Sequence, residues 1–332
     1  MKSVRNYTMI EEIRPNFFRI EIPLPNSPLK FLNSYIIRSL DRNLIVDTGL
    51  NRKECLEAMQ SGLKKLEIDL AKTDFFITHL HADHFGLVGK LVSDNRIIYF
   101  NRPETELIEA WGGWDPMIAY AGKNGFPENE LRTAIESHPG FKFGSEWIPD
   151  ISVIKDGDEI EVGNYLFKCI STPGHSMGHM CLYESEQRIL IGGDHILDDI
   201  TPNIQCWSDE HNPLKHYIAS LDKVNDMEID LVLPGHRSVI ADHKSRIIEL
   251  KEHHQRRFKE ILSILRHGPM SAFQVASKMS WDINYESWEK FPLQQKWFAT
   301  GEAIAHVRFL EKEGSSPDLL DGLGPSKSSE EK

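Results

Sequence analysis

The chain has 332 residues, and its hydrophobic content of 40% is ample for a buried core and more than one domain. Its formal net charge of -12 at pH 7 disfavours nonspecific binding to nucleic acid, because such binding depends on lysine and arginine neutralising phosphates. The four cysteines are far apart and form no CxxC pair, and no apolar run is long enough for a signal peptide or a membrane span. We therefore expect a cytosolic protein that does not enter a membrane.

Three strands, a helix and a fourth strand are predicted in the first hundred residues. The first three strands are expected at residues 18–22, 34–37 and 43–47, and the helix at about residues 52–66. Asp47 ends the third strand in the sequence Asp-Thr-Gly. An aspartate that forms the turn is the favoured interpretation, and one that supports a functional site from behind is the alternative.

The fourth strand, at residues 75–78, leads directly into the pattern H-x-H-x-D-H. His79 and His81 are two residues apart at the strand's end, so their imidazoles can point the same way. Asp83 and His84 fall on the following turn and can face a second point nearby. Imidazole and carboxylate suit Zn²⁺ and other borderline divalent metals. A histidine-rich surface loop is the alternative, but this spacing after a buried strand favours a metal site.

Residues 101–147 interrupt the strand pattern and predict an inserted helical cap. Helices are expected at residues 103–111 and 129–137, with a loop at residues 112–117. Large apolar side chains of the cap are candidates for lining a substrate pocket, although packing of the cap on the body explains them equally well. The candidates are Trp111, Trp114, Met117 and Tyr120.

The second half of the chain again predicts strands, and three of them end in a further possible ligand beside glycine. These ligands are His175 in Pro-Gly-His, Asp194 in Gly-Gly-Asp and His236 in a second Pro-Gly-His. Glycine lets the backbone bend sharply and approach closely. Four strand ends that converge on one edge would bring five histidines and two aspartates together, enough for two metals with a bridging carboxylate. The similar order of the two halves suits two sheets packed face to face with helices outside.

The remaining histidines are interpreted as residues that do not bind metal. His179 and His195 lie next to ligand motifs, and a structural or hydrogen-bonding role behind the ligands is favoured for both. Eight others lie in helical or polar surroundings that indicate the surface: His138, His211, His216, His243, His253, His254, His267 and His306.

Beyond Ala241 the pattern becomes helical. A long helix at residues 243–266, a short one at about 271–279 and a longer one at 293–313 resemble a small winged-helix domain. From residue 251 to 313 there are ten Lys and Arg against eight Asp and Glu, so packing or homodimerisation is favoured over nucleic-acid binding. The tail at residues 315–332 is rich in glycine, proline, serine and charge, which predicts disorder.

The ordered motifs H-x-H-x-D-H, P-G-H, G-G-D and P-G-H, which run from His79 to His236, resemble those of the metallo-β-lactamase-fold hydrolases. The similarity is to the binuclear kind, such as glyoxalase II and the lactonases, and it covers about residues 10–240. It implies an α/β fold, an αββα sandwich of two mixed β-sheets with outer helices, plus the small helical domain. The expected division is a catalytic domain at residues 1–241, the C-terminal domain at 242–314 and the tail.

The resemblance also implies which residue binds which metal. His79, His81 and His175 would hold one divalent ion, and Asp83, His84 and His236 the other, with Asp194 bridging the two. Zn²⁺ is the first choice, and Fe or Mn is the alternative. A hydroxide shared by the two ions would attack the substrate, and Asp83 would orient it.

An apolar, aromatic cap suits a small-molecule acyl substrate, namely an ester, thioester or lactone. We expect the cap, rather than the C-terminal helices, to control the choice of substrate. The alternative function is that of a phosphodiesterase or nuclease acting on RNA or DNA, because the same metal pair serves both reactions. A nonenzymatic metal sensor is disfavoured by the full set of ligands, and β-lactam hydrolysis is disfavoured by the H-x-H-x-D-H pattern.

Overall fold

The computed structural model describes residues 9–109, 113–144, 150–282 and 285–314. Two mixed β-sheets pack face to face, helices cover their outer surfaces, and a helical region follows at the C-terminus. This architecture confirms the predicted αββα sandwich with a helical addition.

The first sheet has seven strands whose spatial order follows the chain. Its first four strands are antiparallel neighbours, and the remaining pairs are parallel. The strands are β1 (Ile10–Arg14), β2 (Phe17–Pro23), β3 (Phe31–Ile37), β4 (Asn43–Val46), β5 (Thr73–Phe76), β6 (Ile98–Asn101) and β7 (Ser152–Ile154). The sequence did not predict β1, because this edge strand has two adjacent exposed glutamates and lacks the usual alternation.

The second sheet has five strands. The last two strands in the chain are parallel neighbours, and the other pairs are antiparallel. The strands are β8 (Glu159–Val162), β9 (Tyr165–Ser171), β10 (Met180–Glu184), β11 (Ile189–Gly193) and β12 (Leu231–Pro234). Strands β9, β11 and β12 therefore run in the same direction, so their carboxyl ends meet at one edge of the sheet.

Helices occupy the connections between strands and the C-terminal region. They are α1 (Lys53–Lys65), α2 (Ala82–Phe85), α3 (Val88–Leu91), α4 (Arg102–Glu109), α5 (Asp115–Lys123), α6 (Glu128–Ser137), α7 (Pro139–Phe143), α8 (Pro213–Asn225), α9 (His243–Leu265), α10 (Ala272–Ala276) and α11 (Leu293–Glu313). Short 3₁₀ turns lie at Leu70–Lys72 and Trp288–Lys290. The predicted loop at residues 112–117 is too long, because α5 begins at Asp115. Pro116 lies in the first turn of this helix, where proline is tolerated because no backbone N–H donor is required.

Three apolar layers hold the sandwich together. Side chains of the two inner sheet faces meet at its centre, where the rings of Phe17 and Phe167 contact edge to face at 6.1 Å. Helix α1 covers the first sheet, with Met59 in its buried face. Helices α8 and α9 cover the second sheet, where Leu221 and Phe258 are fully buried.

The C-terminal helices pack on both the sandwich and the cap. Helix α11 contacts α8, α9 and the cap helix α6. Trp297 of α11 is fully buried against Phe126, Leu131 and Ile135 of the cap. The likeness to a winged-helix domain and the proposed domain boundaries stay predictions, and residues 315–332 lie outside the described ranges.

Three histidines that the sequence placed on the surface are buried. His243, His254 and His306 are each less than 5% exposed. His254 Nδ1 lies 3.0 Å from His306 Nε2, which joins α9 to α11 through a hydrogen bond in the core. The surface interpretation was wrong because a polar side chain on a helix gives no sign of a partner fifty residues away.

All four cysteines are buried free thiols, as expected for Cys169 and Cys181 in strand β9 and β10. Burial raises the pKa of each of these two thiols to about 12. Among the helices in the described ranges, none has both the length and the apolar content needed to cross a bilayer.

Candidate metal centre

The ends of four strands place the predicted ligands together at one edge of the sandwich. The H-x-H-x-D-H segment follows β5 and continues into α2. His175 follows β9, Asp194 follows β11, and His236 follows β12. Because these strands end at the same edge, residues separated by up to 157 positions form one cluster.

Three histidines form what we call the first ligand group: His79, His81 and His175. His81 Nδ1 lies 2.9 Å from His79 Nε2 and 2.9 Å from His175 Nε2. All three donor atoms lie within 4.8 Å of one another and can share a single metal ion, and three imidazoles are a donor set that Zn²⁺ accepts readily.

The second ligand group consists of Asp83, His84 and His236. His236 Nε2 lies 3.3 Å from Asp83 Oδ2, and all three donor atoms are within 4.8 Å of one another. Asp194 lies between the two groups. Its Oδ1 is 3.5 Å from His84 Nε2, and its Oδ2 is 3.6 Å from His175 Nε2, so one carboxylate faces both groups.

The cluster has buried polar atoms that lack a protein partner. His84 Nε2, His236 Nε2 and Asp194 Oδ1 have no hydrogen-bond partner among the described residues. Such atoms are costly to bury without a partner, and a metal ion is a suitable one. Gly235 permits the close approach, because a Cβ at this position would lie 2.6 Å from Asp194 Oδ1. The residues present therefore fit a metal.

The ring nitrogens that face away from the cluster are also consistent with metal binding. Metal-binding histidines almost always donate their other ring N–H to a carboxylate or carbonyl, which fixes the tautomer. Three candidates do so through Nδ1 at 2.7 to 2.9 Å, so the lone pair of each neutral ring is on Nε2. The pairs are His84 with Asp47 Oδ2, His175 with the carbonyl of Asn203, and His236 with the carbonyl of Phe31.

Asp47 has both of the roles that the sequence left as alternatives. Its φ of 59° places it in the left-handed region that aspartate tolerates in turns. Its carboxylate accepts from His84 Nδ1 and from the backbone N–H and hydroxyl of Thr78, at 2.7 to 2.9 Å. The favoured interpretation as a turn residue alone was incomplete.

His179 and His195 lie behind the ligands in different ways. His179 Nε2 accepts a hydrogen bond from the backbone N–H of Asp194 at 3.1 Å, and its Nδ1 is 2.8 Å from the Thr172 hydroxyl. His179 therefore holds the backbone that carries Asp194. The ring of His195 packs edge to face against Tyr217 at 5.5 Å, and the Tyr217 hydroxyl donates to the His195 carbonyl at 3.0 Å.

Glu104 is a supporting residue that the sequence did not reveal. It is buried on α4, and its carboxylate accepts from the Ser176 hydroxyl and from the Gly178 backbone N–H. These bonds hold the loop that carries His175. Burial raises the pKa of Glu104 despite the two donors. A glutamate in the first turn of a helix is common, so no signal in the sequence distinguished it.

Electrostatics keep the first ligand group neutral. Burial lowers the pKa values of His79 and His175, and burial with the neighbouring His175 lowers the pKa of His81 to about 3. Neutral imidazole is the form that binds metal. At neutral pH this group therefore needs no proton release before it can accept an ion.

The second ligand group behaves differently. Burial would lower the pKa of His84, but the carboxylates of Asp47 and Asp194 raise it well above the usual value. The pKa of His236 is likewise raised by Asp194 and Asp83 against the effect of burial. Burial would raise the pKa values of Asp83 and Asp194, but the nearby histidines lower both. The carboxylates are therefore ionised, and the two imidazoles bind protons more readily.

Three of the four predicted substrate residues, Trp114, Met117 and Tyr120, lie on the cap at the start of α5 or within it. Trp114 packs on His138, with ring centroids 5.1 Å apart, and on Phe141. Met117 packs in the cluster around Trp297. Trp111 lies outside the described residues.

Tyr120 points toward the C-terminal region. Its hydroxyl donates to Asp209 at 2.9 Å and accepts from Arg308 of α11 at 2.8 Å. These hydrogen bonds join the cap to α11. They agree with the alternative that the large cap residues hold the cap on the body. The substrate roles of the four cap residues stay predictions.

His138, which the sequence placed on the surface, and Phe298, which it did not single out, lie near this centre. The charge of Asp83 acts on His138, whose pKa is lowered by burial to about 4. The ring of Phe298, on α11, meets that of His138 at 5.2 Å. The apolar surface around His138, near the second ligand group, therefore includes a residue of helix α11.

The sequence of residues 28–236 matches the family described as the metallo-beta-lactamase superfamily. The chain belongs to this superfamily. The match includes all seven predicted ligands, and it covers more than half of the chain.

Full-length relatives and solved structures agree with the superfamily assignment. The chain is 24% identical to a Bacillus subtilis protein named "Probable metallo-hydrolase YqjP", over 87% of this chain and 90% of the relative. It is 24% identical to an Aspergillus fumigatus protein named atrochrysone carboxyl ACP thioesterase, over 80% of this chain and 70% of the relative.

The crystal structure of a metallo-β-lactamase family protein from Thermus thermophilus superimposes on the chain with a TM-score of 0.77 at 26% identity. The superposition covers 91% of this chain and 95% of that protein, so it extends well beyond the residues that match the family. Together, the superfamily and its relatives identify the chain as an enzyme, a hydrolase with a histidine and aspartate cluster suited to metal.

Proposed function

We propose that the protein hydrolyses a small acyl thioester, or a related ester or lactone, with the help of two divalent metal ions. The observation that carries the proposal is the arrangement of seven donors in two groups that share Asp194. Two groups of three, each with its own buried position, support two ions rather than one.

The first ligand group would hold one ion and the second ligand group the other, with Asp194 bridging them. Zn²⁺ is favoured, since the donors are mostly imidazoles, and Fe or Mn is the alternative. When bound, two such ions supply an activated water at neutral pH and a Lewis acid for the substrate's carbonyl oxygen.

Asp83 is the acidic residue best placed to orient the attacking water. Its side chain is 19% exposed, against 9% for Asp194, so it borders the space that a substrate can enter. The nearby histidines keep its pKa low, and the carboxylate is therefore a hydrogen-bond acceptor at neutral pH. In the reaction a C–O bond forms, the C–S bond breaks, and the products are a carboxylate, a thiol and a proton. A thiol of pKa about 8.5 leaves without a strong acid beside it.

An acyl thioester is the favoured substrate for two reasons. The name of the fungal relative describes a thioesterase, and its sequence is alignable with most of this chain. Trp114 and Phe298 pack on the ring of His138, and Phe141 packs on Trp114, so the surface there is apolar and suits an apolar acyl group. A net charge of -12 does not favour RNA or DNA as substrate. A cytosolic location and a homodimer stay predictions.

The test is a panel of acyl thioesters, oxoesters, lactones and phosphodiesters, each incubated with protein loaded with Zn²⁺, Mn²⁺ or Fe²⁺. We expect thioesters to be hydrolysed fastest and chelation to abolish the reaction. Asp194→Asn is the matched inactive control, because it keeps the size of the side chain and removes the shared charge. Phosphodiester hydrolysis without acyl hydrolysis would replace this proposal with the nuclease alternative.

A further inference from the structure

We propose that Glu302, on the C-terminal helix α11, is a positioning residue for the metal centre, and that it acts through Asn203 on His175. The inference rests on the proposed function, since His175 is one of the proposed ligands. Ninety-nine residues separate Asn203 from Glu302, and no motif connects them. The structure joins the three residues by two hydrogen bonds.

The first bond fixes the imidazole of His175. Its Nδ1 donates to the backbone carbonyl of Asn203 at 2.9 Å. A carbonyl can only accept, so the proton is on Nδ1 and the lone pair is on Nε2. That Nε2 faces the first ligand group, 2.9 Å from His81 Nδ1. The orientation of His175 therefore depends on where the Asn203 carbonyl is held.

The second bond holds Asn203. Residues 194–212 form neither helix nor strand, so no regular backbone ladder fixes the position of this carbonyl. The side-chain amide of Asn203 donates to Glu302 Oε2 at 2.8 Å. Because the amide and the carbonyl belong to one residue, this bond restrains both.

Glu302 lies beside two side chains of helix α9. Its carboxylate is buried, and its Oε1 lies 3.5 Å from Arg257 Nε and 4.0 Å from His253 Nε2, both on α9. Burial would raise the pKa of Glu302, but the neighbouring His253 and the positive charge of Arg257 lower it. Glu302 is therefore an ionised acceptor that lies beside the charged side chain of Arg257 on a second helix.

The same two helices hold the rest of the irregular segment. Cys206 N–H donates to the Gly301 carbonyl of α11 at 3.1 Å, and the ring of Trp207 stacks on Trp297 at 4.2 Å. A Cβ at Gly301 would lie 2.7 Å from the Trp207 ring, so glycine permits this contact. Arg246 of α9 donates to two carbonyls earlier in the segment, at 2.7 and 2.9 Å. The C-terminal helices are thus part of the support behind His175.

The experiment measures the affinity of each of the two sites for metal, a property that does not depend on the identity of the substrate. Metal-free protein is titrated with Zn²⁺ against a chromophoric chelator. In Asn203→Ala and Glu302→Ala we expect one of the two affinities to fall by about 10- to 100-fold while the other is unchanged. The double variant should lose no more than the more affected single variant, because both act on one bond. Glu302→Gln keeps an acceptor oxygen and should lose less than Glu302→Ala.

Glu313→Gln is the matched control. It removes a carboxylate from the same helix and from an ion pair with Lys215 at 3.0 Å, and it should leave both affinities unchanged. If Glu302→Ala does not fold, Asn203→Ala carries the test, because it removes only an amide. Unchanged affinities in Asn203→Ala, or equal weakening of both sites, would overturn the positioning role. A wild-type protein that binds fewer than two ions would overturn the binuclear proposal as well, so the two failures are distinguishable.

Discussion

At the scale of single residues, Asp194 and His195 are adjacent in the chain but are expected to contribute very differently to metal binding. Asp194 faces both ligand groups, with its oxygens 3.5 Å and 3.6 Å from histidines of each. The next residue, His195, packs its ring on Tyr217 and lies behind the cluster. The difference follows from the turn after β11, which directs Asp194 toward the edge of the sandwich and His195 into the core.

Asp194→Ala should therefore loosen both metals and lower activity by several orders of magnitude, because a shared carboxylate supplies charge to each ion. His195→Ala should cost far less, about 10- to 100-fold in activity. Elemental analysis after gel filtration measures the metal content of each variant. Asp199→Ala, which removes an exposed carboxylate nearby, is the control. Equal loss of metal in the Asp194 and His195 variants would show that these roles are assigned wrongly.

The seven candidate ligands could be predicted from the sequence because each lies in a short local motif. His79, His81, Asp83 and His84 share six residues, and glycine precedes or flanks the other ligands. A strand followed by such a motif predicts the edge of a sheet, and the structure confirms the sandwich that this requires.

The supporting residues could not be predicted, since their partners are distant in the chain and their types are ordinary. Glu302 bonds to a residue 99 positions away, and Glu104 to one 72 positions away. Glutamates on helices are normally exposed, and only the packed structure identifies these two as buried acceptors.

At the scale of elements, the cap and α11 form one unit beside the metal centre. Trp297 is buried among cap residues, and Phe298 meets His138 of the cap. We expected the cap, rather than the C-terminal helices, to control substrate choice. Because Phe298 of α11 packs on His138, α11 is included in this expectation.

Trp114→Ala and Phe298→Ala should both change the relative kcat/KM for short and long acyl thioesters, while metal content stays the same. An apolar contact distinguishes substrates by about 1–3 kcal/mol per methylene-sized difference, or roughly 10- to 200-fold. Leu166→Ala is the control, since Leu166 is an exposed apolar residue near the start of β9, at the end of the strand opposite to the loop that carries His175. If only the Trp114 variant changes the preference, α11 borders the pocket without shaping it.

At the scale of the whole molecule, two ligand groups whose histidine pKa values are shifted in opposite directions occupy one edge of an acidic protein. The first ligand group is neutral because burial and mutual repulsion lower the pKa values of its histidines. In the second ligand group, carboxylates raise the pKa values of His84 and His236. The two groups share Asp194, so the charges that favour metal at the second group also favour protons there.

This difference predicts that the two ions are lost at different pH. A histidine with a raised pKa binds a proton at a higher pH, and the metal must displace that proton. As the pH falls, protons should therefore remove the ion of the second ligand group first, while the first ligand group, whose histidines stay neutral, keeps its ion to lower pH. The carboxylates stay ionised throughout, because their pKa values are lowered. Zn²⁺ titrations from about pH 8 to pH 5, compared with thermal unfolding of the metal-free protein over the same range, measure the effect. We expect a stoichiometry of two at the upper end and a step toward one as the pH falls. Loss of both ions together, before the protein unfolds, would contradict the assignment of raised pKa values to the second ligand group.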